Sequence, residues 1–335
     1  MAEISAVDLL NPDPHIILRA AGVLKSGGLV AFPTETVYGL GADATNPDAI
    51  GKIFAAKGRP PTNPLIVHCE SIERIRRQCV SQWPESAVTL ARHFWPGPLT
   101  LILAKSRDIP DIATAGLDFV GVRIPESAVA LALITAADRP IAAPSANRSN
   151  RLSPTRAEHV ARDLGDRIDI ILDAGACRAG VESTVLDLSG PTPVILRPGP
   201  ITAAQIAQVL NIEVFAKTQN AAGDAPLAAP GQLAIHYAPR KPLTFWLKTK
   251  PTQAFFQPGH VLMWLGQRHV DVVSAVTDEV RFGDVKASES MLYYQLHKWD
   301  LDESIREIHV VFEPTASEDW SAVVDRISRA AREIK

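Results

Sequence analysis

Apolar and polar positions along this chain change period every ten residues or so. Helical spacing from about Asp13 to Lys25, closed by Gly27-Gly28, predicts a helix, and the apolar run Leu29 to Phe32 after it predicts a buried strand. A loop follows at Pro33 to Gly39. Asn46 as N-cap, Pro47 at the first helical position and Gly58 just past the end bracket a second helix. Leu65 to His68 predicts a strand, Glu70 to Val80 and Ser86 to His93 helices, and Leu99 to Ala104 and Val120 to Arg123 further strands. A helix from Ala128 to Thr135 then leads to a short strand at Ile141 to Ala143 and the polar run Pro144 to Asn150. The next helix opens with Thr155 and Glu158 in capping-box spacing and stops at Gly165. Strands at Ile168 to Leu172, Val185 to Leu188 and Val194 to Leu196 complete an α/β domain of mixed strand direction.

This first domain spans 1–215. Residues 216–241 are rich in Ala, Gly and Pro with little periodicity, the pattern of a linker. Strands at Leu243 to Leu247, Val261 to Leu265 and Ile308 to Phe312, with helices at Glu289 to Trp299 and Trp320 to Glu333, make 242–335 a second, smaller α/β unit whose composition shows no catalytic cluster.

Composition narrows the class. At 335 residues, 46% hydrophobic and 21% charged, the chain reads as folded rather than disordered. Its longest apolar run, Ala128 to Ala137, is too short to span a membrane, and Glu3 and Asp8 occupy the place of a basic leader, so the cytoplasm is expected. Three cysteines without a C-x-x-C suit neither a disulfide framework nor a zinc ribbon. A net charge of -3 excludes a globally basic nucleic-acid binder. Residues 1–210 carry 16 Arg against 4 Lys, while the remainder has 7 of each. The planar arginine fork suits phosphate and carboxylate ligands, although codon preference explains such a bias equally well.

No P-loop, H-E-x-x-H or paired Cys/His set is present, so no metal held by protein side chains is predicted. Gly39-Leu40-Gly41-Ala42-Asp43-Ala44 fits a loose dinucleotide pattern but stands too far ahead of the helix at Asn46-Pro47. Lys57-Gly58-Arg59 closes a helix, where cations also suit the macrodipole. The stiff Pro60-Pro61-Thr62-Asn63-Pro64 behind it holds both charges forward, as a polyphosphate site requires. His68 in an apolar strand more commonly serves the core, and Ser145 and Asn147 suit either turn geometry or phosphate and ribose contacts. Arg123, Ser183 and Arg197 stand at strand ends and are expected to converge on one rim of the sheet, giving a pocket for a phosphate-bearing ligand without a nucleophile–base pair.

Five blocks then resemble a known family in order and spacing: Pro33-Thr34-Glu35-Thr36-Val37-Tyr38-Gly39-Leu40, Lys57-Gly58-Arg59-Pro60-Pro61-Thr62-Asn63-Pro64-Leu65, Trp95-Pro96-Gly97-Pro98-Leu99-Thr100, Pro144-Ser145-Ala146-Asn147 and Glu182-Ser183-Thr184-Val185. They look like the YrdC-like domain. His236-Tyr237-Ala238-Pro239 and the α/β unit behind it resemble the long form of threonylcarbamoyl-AMP synthases. The resemblance implies a YrdC-like twisted mixed sheet with a smaller Rossmann-like domain. It also implies a nucleotidyltransferase that makes threonylcarbamoyl-AMP and pyrophosphate from L-threonine, bicarbonate and ATP with Mg²⁺, for threonylcarbamoyladenosine in tRNA. By position it implies ATP binding by Lys57, Arg59, Asn63, Ser145, Asn147, Ser153, Arg197 and Tyr237, with Lys57 and Arg59 catalytic. Thr36, His68, Arg123, the backbone at Ala143, and Ser183 would hold threonine, Arg123 facing its carboxylate. The linker would act as a lid, and the product would pass to a threonylcarbamoyl transferase complex; direct tRNA binding stays open. Phe119, Gln232 and Ile235 depart from the family pattern. The alternatives are a non-catalytic RNA-binding module, which wants a basic surface, and carbamoyl-adenylate formation in hydrogenase maturation, which wants Cys-rich zinc motifs.

Overall fold

The computed structural model describes residues 1–216, 237–252, 255–267, 276–314 and 319–335. These form two compact units. The first comprises the described residues of Met1–Ser149, Ser153–Arg178 and Glu182–Leu233; the second comprises those of Asn150–Leu152, Ala179–Val181 and Ala234–Lys335.

The first unit is built on a sheet of eleven strands among the described residues. In chain order these are β1 (Glu3–Ala6), β2 (Val30–Pro33), β3 (Tyr38–Asp43), β4 (Ile66–His68), β5 (Leu99–Ala104), β6 (Phe119–Arg123), β7 (Ile141–Ala142), β8 (Ile170–Asp173), β9 (Thr184–Asp187), β10 (Val194–Arg197) and β11 (Phe215–Ala216). Their spatial order is β1-β8-β2-β3-β7-β4-β6-β5-β9-β10-β11. Directions are mixed, as the pattern predicts: β4 runs parallel to β6 and antiparallel to β7, and β5 runs antiparallel to β6 and parallel to β9.

Side chains alternate between the two faces of each strand. Val67, Leu101, Val122 and Leu186 join one core with Ile50, Ile53 and Phe54 of α2 (Pro47–Lys57) and with Leu90 of α4 (Glu85–Phe94). Burial of each such aliphatic chain contributes about 1.5–3 kcal/mol. The opposite face carries two smaller clusters. Phe32, Ile141 and Ala143 pack with α1 (Pro14–Lys25) and α6 (Ala128–Ala137), and Ile66, Ile102, Val185 and Leu196 form a separate patch.

Local chemistry explains which elements the pattern finds. Asn46 caps α2 by accepting from the amides of Asp48 and Ala49, and Gly58 ends it in the left-handed region at φ 59°. β3 is missed because Gly39 and Gly41 interrupt its apolar pattern. A Cβ on Gly41 would lie 2.7 Å from the Phe32 ring, and one on Gly39 would lie 3.3 Å from Ala143 Cβ. The G-x-G spacing therefore serves close strand packing, in agreement with setting aside a dinucleotide loop. The helix expected over Glu70 to Val80 is instead α3 (Ile72–Arg74) running into one π turn, Ile75–Cys79. The capping box expected at Thr155 does not form: α7 (Ala157–Leu164) starts after Arg156, and the Thr155 amide donates to His159 Nδ1. A box forms instead at Thr202 and Gln205, opening α8 (Ala203–Leu210).

The second unit is a parallel sheet of five described strands, ordered β14-β13-β15-β12-β16. These are β12 (Leu243–Trp246), β13 (His260–Gly266), β14 (Asp278–Phe282), β15 (Glu307–Glu313) and β16 (Glu333–Ile334), with α9 (Val285–Leu301) and α10 (Ser321–Ala330). The expected segment boundaries shift here. Residue 216 belongs to β11, and Tyr237 onward belongs to the second unit, where Ala238 pairs with Arg151. The linker proper, with His236 and the departures Gln232 and Ile235, lies outside the described residues. No helix among those described is long and apolar enough to cross a membrane.

Candidate active site

Strand register gathers the expected residues at one rim of the first unit's sheet: His68, Arg123 and Arg197 end β4, β6 and β10, and Ser183 immediately precedes β9, whose start lies at the same end. His68 lies opposite Arg123 in the β4–β6 pair. By the two-residue alternation, His68 shares a face with Ile66, Arg123 with Gly121, and Ser183 with Val185. Gly121 keeps this face low: a Cβ there would come 3.3 Å from Thr100 Cγ2 and 3.4 Å from Ile66 Cγ1.

Arg123 is fixed on three sides. Nε donates to Gly97 O at 3.1 Å, Nη1 donates to Thr36 Oγ1 at 3.1 Å, and Nη2 stands 2.6 Å from Glu35 Oε1. Each partner is itself held. Gly97, in the loop with the cis Trp95-Pro96 bond, donates its amide to Ile124 O, and the Thr36 amide donates to Thr34 Oγ1, which also donates to Val37 O. Burial and the Arg123 charge push the His68 imidazole down to about 3, so it stays neutral across the physiological range; its Nδ1 has no hydrogen-bond partner.

A second group lies around the end of α2. Lys57 is buried, and its ammonium donates to the carbonyls of Ser145 and Asn147, while its own carbonyl accepts from the Ser149 amide. Burial first, then the neighbouring Arg59 charge, holds its proton affinity well below the usual lysine range. Arg59 donates to Asn63 O, Asn63 Oδ1 and Pro64 O at 3.1, 2.6 and 2.9 Å. Asn63 is fully buried with its Nδ2 unpartnered. The two groups are continuous through backbone pairing, since Tyr38 O accepts from Ala146 N and Gly39 bridges to Ser145.

A third set continues the same face. Ser183 Oγ meets Thr100 Oγ1 at 2.8 Å and accepts from Arg197 Nη2 at 3.1 Å, and Ser153 Oγ donates to Glu182. Ala143 has given its amide to Ile66 O, so a ligand contact from its backbone falls to the carbonyl. Tyr237 belongs to the second unit, where it is buried with φ at 62°, its ring centroid 6.0 Å from Tyr293 and 5.2 Å from the Arg326 guanidinium carbon. Phe119 begins β6 and is exposed.

Two carboxylates in this region had received no role. Glu35 stands between Thr34 and Thr36, and Glu182 stands directly before Ser183; both are buried. A buried acid one or two positions from a predicted site residue is the signal that would have found them. The arrangement suits a ligand with several anionic groups: two buried cations beside backbone carbonyls, hydroxyls spaced along the sheet, and a fixed guanidinium fork.

The fold and this site define a YrdC-type ligand-binding α/β protein. Residues 22–199 match the family model of Sua5, YciO and YrdC, described as telomere recombination, and residues 201–332 match that of the threonylcarbamoyl-AMP synthase C-terminal domain. The chain belongs to the Sua5/YciO/YrdC family, in its form with the Sua5 C-terminal domain. It is 50% identical over 221 residues to the threonylcarbamoyl-AMP synthase of Pyrococcus abyssi, covering 66% of this chain and 64% of that protein. The Bacillus subtilis threonylcarbamoyl-AMP synthase is 48% identical over 241 residues, covering 72% of this chain and 69% of that one. The aligned stretch thus spans about two thirds of the length of these relatives. A crystal structure of Pyrococcus abyssi Sua5 complexed with L-threonine superposes with a TM-score of 0.87 at 36% identity, covering 99% of each chain.

Proposed function

We propose that this chain synthesises threonylcarbamoyl-AMP, releasing pyrophosphate from ATP, bicarbonate and L-threonine, as a nucleotidyltransferase. The observation that supports this reading is the presence of two buried cationic groups linked by backbone pairing: Lys57 and Arg59 at the end of α2, and Arg123 with Thr36 on the adjoining sheet. Similarity to a relative solved with L-threonine supports the amino-acid side of the reading.

The chemistry asks for that separation. Bicarbonate condenses with the threonine amine, losing water, to give a carbamate whose oxygen attacks the α-phosphorus of ATP; the new O–P bond forms as the bond to pyrophosphate breaks. Fixed cations are needed where charge accumulates on the leaving group, and Lys57 and Arg59 fill that role. Asn63, Ser145, Asn147, Ser153 and Arg197 would hold the nucleotide. Thr36, the Ala143 carbonyl and Ser183 would orient threonine, with Arg123 receiving its carboxylate and His68 supplying an uncharged imidazole. Glu35 is ion-paired and Glu182 is hydrogen-bonded, so Mg²⁺ would enter on the ATP phosphates rather than on a carboxylate of this site. The product would pass in the cytoplasm to a threonylcarbamoyl transferase complex acting on tRNA.

The test is pyrophosphate release by the purified chain with Mg-ATP and bicarbonate, with and without L-threonine, and with L-serine in its place. Release that requires threonine and bicarbonate and prefers threonine to serine is expected. Release indifferent to the amino acid would overturn the assignment.

A further inference from the structure

The second unit holds a cluster of ligating side chains that the synthase reaction does not use. Glu307 and His309 stand two residues apart on β15 and therefore project from one face. In the parallel register with β13, His260 lies directly opposite Glu307, so all three meet at the starting end of adjacent strands. Their ligand atoms lie within 4.8 Å of one another. His309 Nε2 is 3.1 Å from His260 Nδ1 and 3.8 Å from Glu307 Oε1, and His260 Nε2 is 3.8 Å from Glu307 Oε2. Nitrogen and oxygen ligands about 2.0–2.2 Å from a tetrahedral ion stand roughly 3.3–3.6 Å apart, so the observed spacing is within a small adjustment of a coordination set.

Three further features favour an ion over a bare hydrogen bond between imidazoles. Thr244 Oγ1, on the other side of β15, donates to Glu307 Oε1 at 3.1 Å, the kind of outer hydrogen bond that orients a ligating carboxylate. Phe255 and Phe256 pack edge-on against His309 at 5.2 and 5.4 Å, which fixes the ring and limits water. His309 is fully buried with Nδ1 unpartnered, a desolvation cost that one hydrogen bond at Nε2 does not offset. A cation also stands near the cluster: the Lys335 ammonium lies 4.8 Å from the Trp246 and Phe255 ring centroids and is ion-paired with Glu333 at 3.4 Å.

We propose that His260, Glu307 and His309 bind one first-row divalent transition metal ion, zinc being the simplest, with water as fourth ligand. Two imidazoles and one carboxylate select such an ion over Mg²⁺ or Ca²⁺, which take oxygen shells. Catalytic loops in parallel α/β sheets gather at the opposite, carboxyl ends of the strands. The ion ties β13 to β15 at the end of the strands opposite to those loops.

The full chain, stripped with chelator, is titrated with ZnCl₂ by calorimetry and melted with and without Zn²⁺, Mg²⁺ or Ca²⁺. One saturable zinc per chain, and a rise in Tm with zinc alone, are expected for the parent protein and for His15→Gln, a surface control. His260→Gln, at the partly exposed edge of the cluster, is expected to abolish the site. Glu307→Gln is expected to weaken it by about tenfold or more. Parent-like zinc stoichiometry and affinity in a folded His260→Gln, or no saturable zinc binding by the parent chain, would overturn the proposal.

Discussion

Arg123 and Glu35 stand 2.6 Å apart with both side chains at or below 5% exposure, at contact distance but off hydrogen-bond alignment. The guanidinium is aligned instead toward Gly97 O and Thr36 Oγ1. Glu35 thus balances the charge while the other two partners set its direction.

Removing one member of such a pair leaves the other charge buried and uncompensated. Arg123→Ala is expected to lower unfolding free energy by about 3–5 kcal/mol in urea titrations. Arg123→Lys keeps the charge and loses the fork, so it is expected to raise KM for L-threonine about tenfold or more, consistent with the loss of a bidentate contact. An unchanged KM would remove Arg123 from the threonine site.

Lys57 has its ammonium lodged between two carbonyls of the Pro144–Asn147 loop. Lys57→Ala is expected to reduce threonine-dependent pyrophosphate release by about 10²–10³. Far-ultraviolet circular dichroism separates this from unfolding, and parent-like turnover in a folded variant would count against the role.

His68 gives a pH signature whose sign is fixed. Its folded pKa, about 3, lies below the ordinary 6.5. Above 6.5 both folded and unfolded forms are neutral and the imidazole contributes fully. As pH falls from about 6.5 toward 3, the unfolded chain takes up a proton that the folded one refuses. Stability therefore drops by about 1.4 kcal/mol per pH unit from this group. His68→Asn is expected to flatten the decline between pH 6 and 4 in denaturant midpoints, and an unaltered slope would show the imidazole to be protonated in the native state.

Gly199 lies close to the backbone that presents Ser183. A Cβ there would lie 2.4 Å from Thr184 N and 2.7 Å from Glu182 O. Gly199→Ala is expected to cost about 1–3 kcal/mol through overpacking and to weaken nucleotide binding as Ser183 and Arg197 separate. Thermal unfolding and equilibrium binding of a non-hydrolysable ATP analogue check the two effects separately.

Legibility in the sequence followed the physics of each element. α2 announced itself because Asn46, Pro47 and Gly58 are local signals acting within a turn. β3 was hidden because its partners, Phe32 and Ala143, supply the volume that its own glycines lack. The candidate site residues stand out by motif spacing. Their convergence at one rim was legible from the strand ends, whereas the face they share depends on the alternation of Ile66 with His68 and Gly121 with Arg123 in register. Cross-strand register also brings His260 to Glu307 and His309, 47 and 49 positions away in the chain, and no single-segment motif could reveal it.

The chain does not pass from one unit to the other only once. Asn150–Leu152 and Ala179–Val181 belong to the second unit, where Ala238 donates its amide to Asn150 O and Gly180 faces the backbone of Glu289 and Ser290 so closely that a Cβ would come within 2.4 Å. During synthesis on the ribosome, both tripeptides emerge before the segments they contact. Asn150 must wait for Ala238, and Gly180 for Glu289 and Ser290 of α9. A protein ended at residue 216 would leave both tripeptides without these partners, so their amides are expected to exchange with solvent faster than in the full chain.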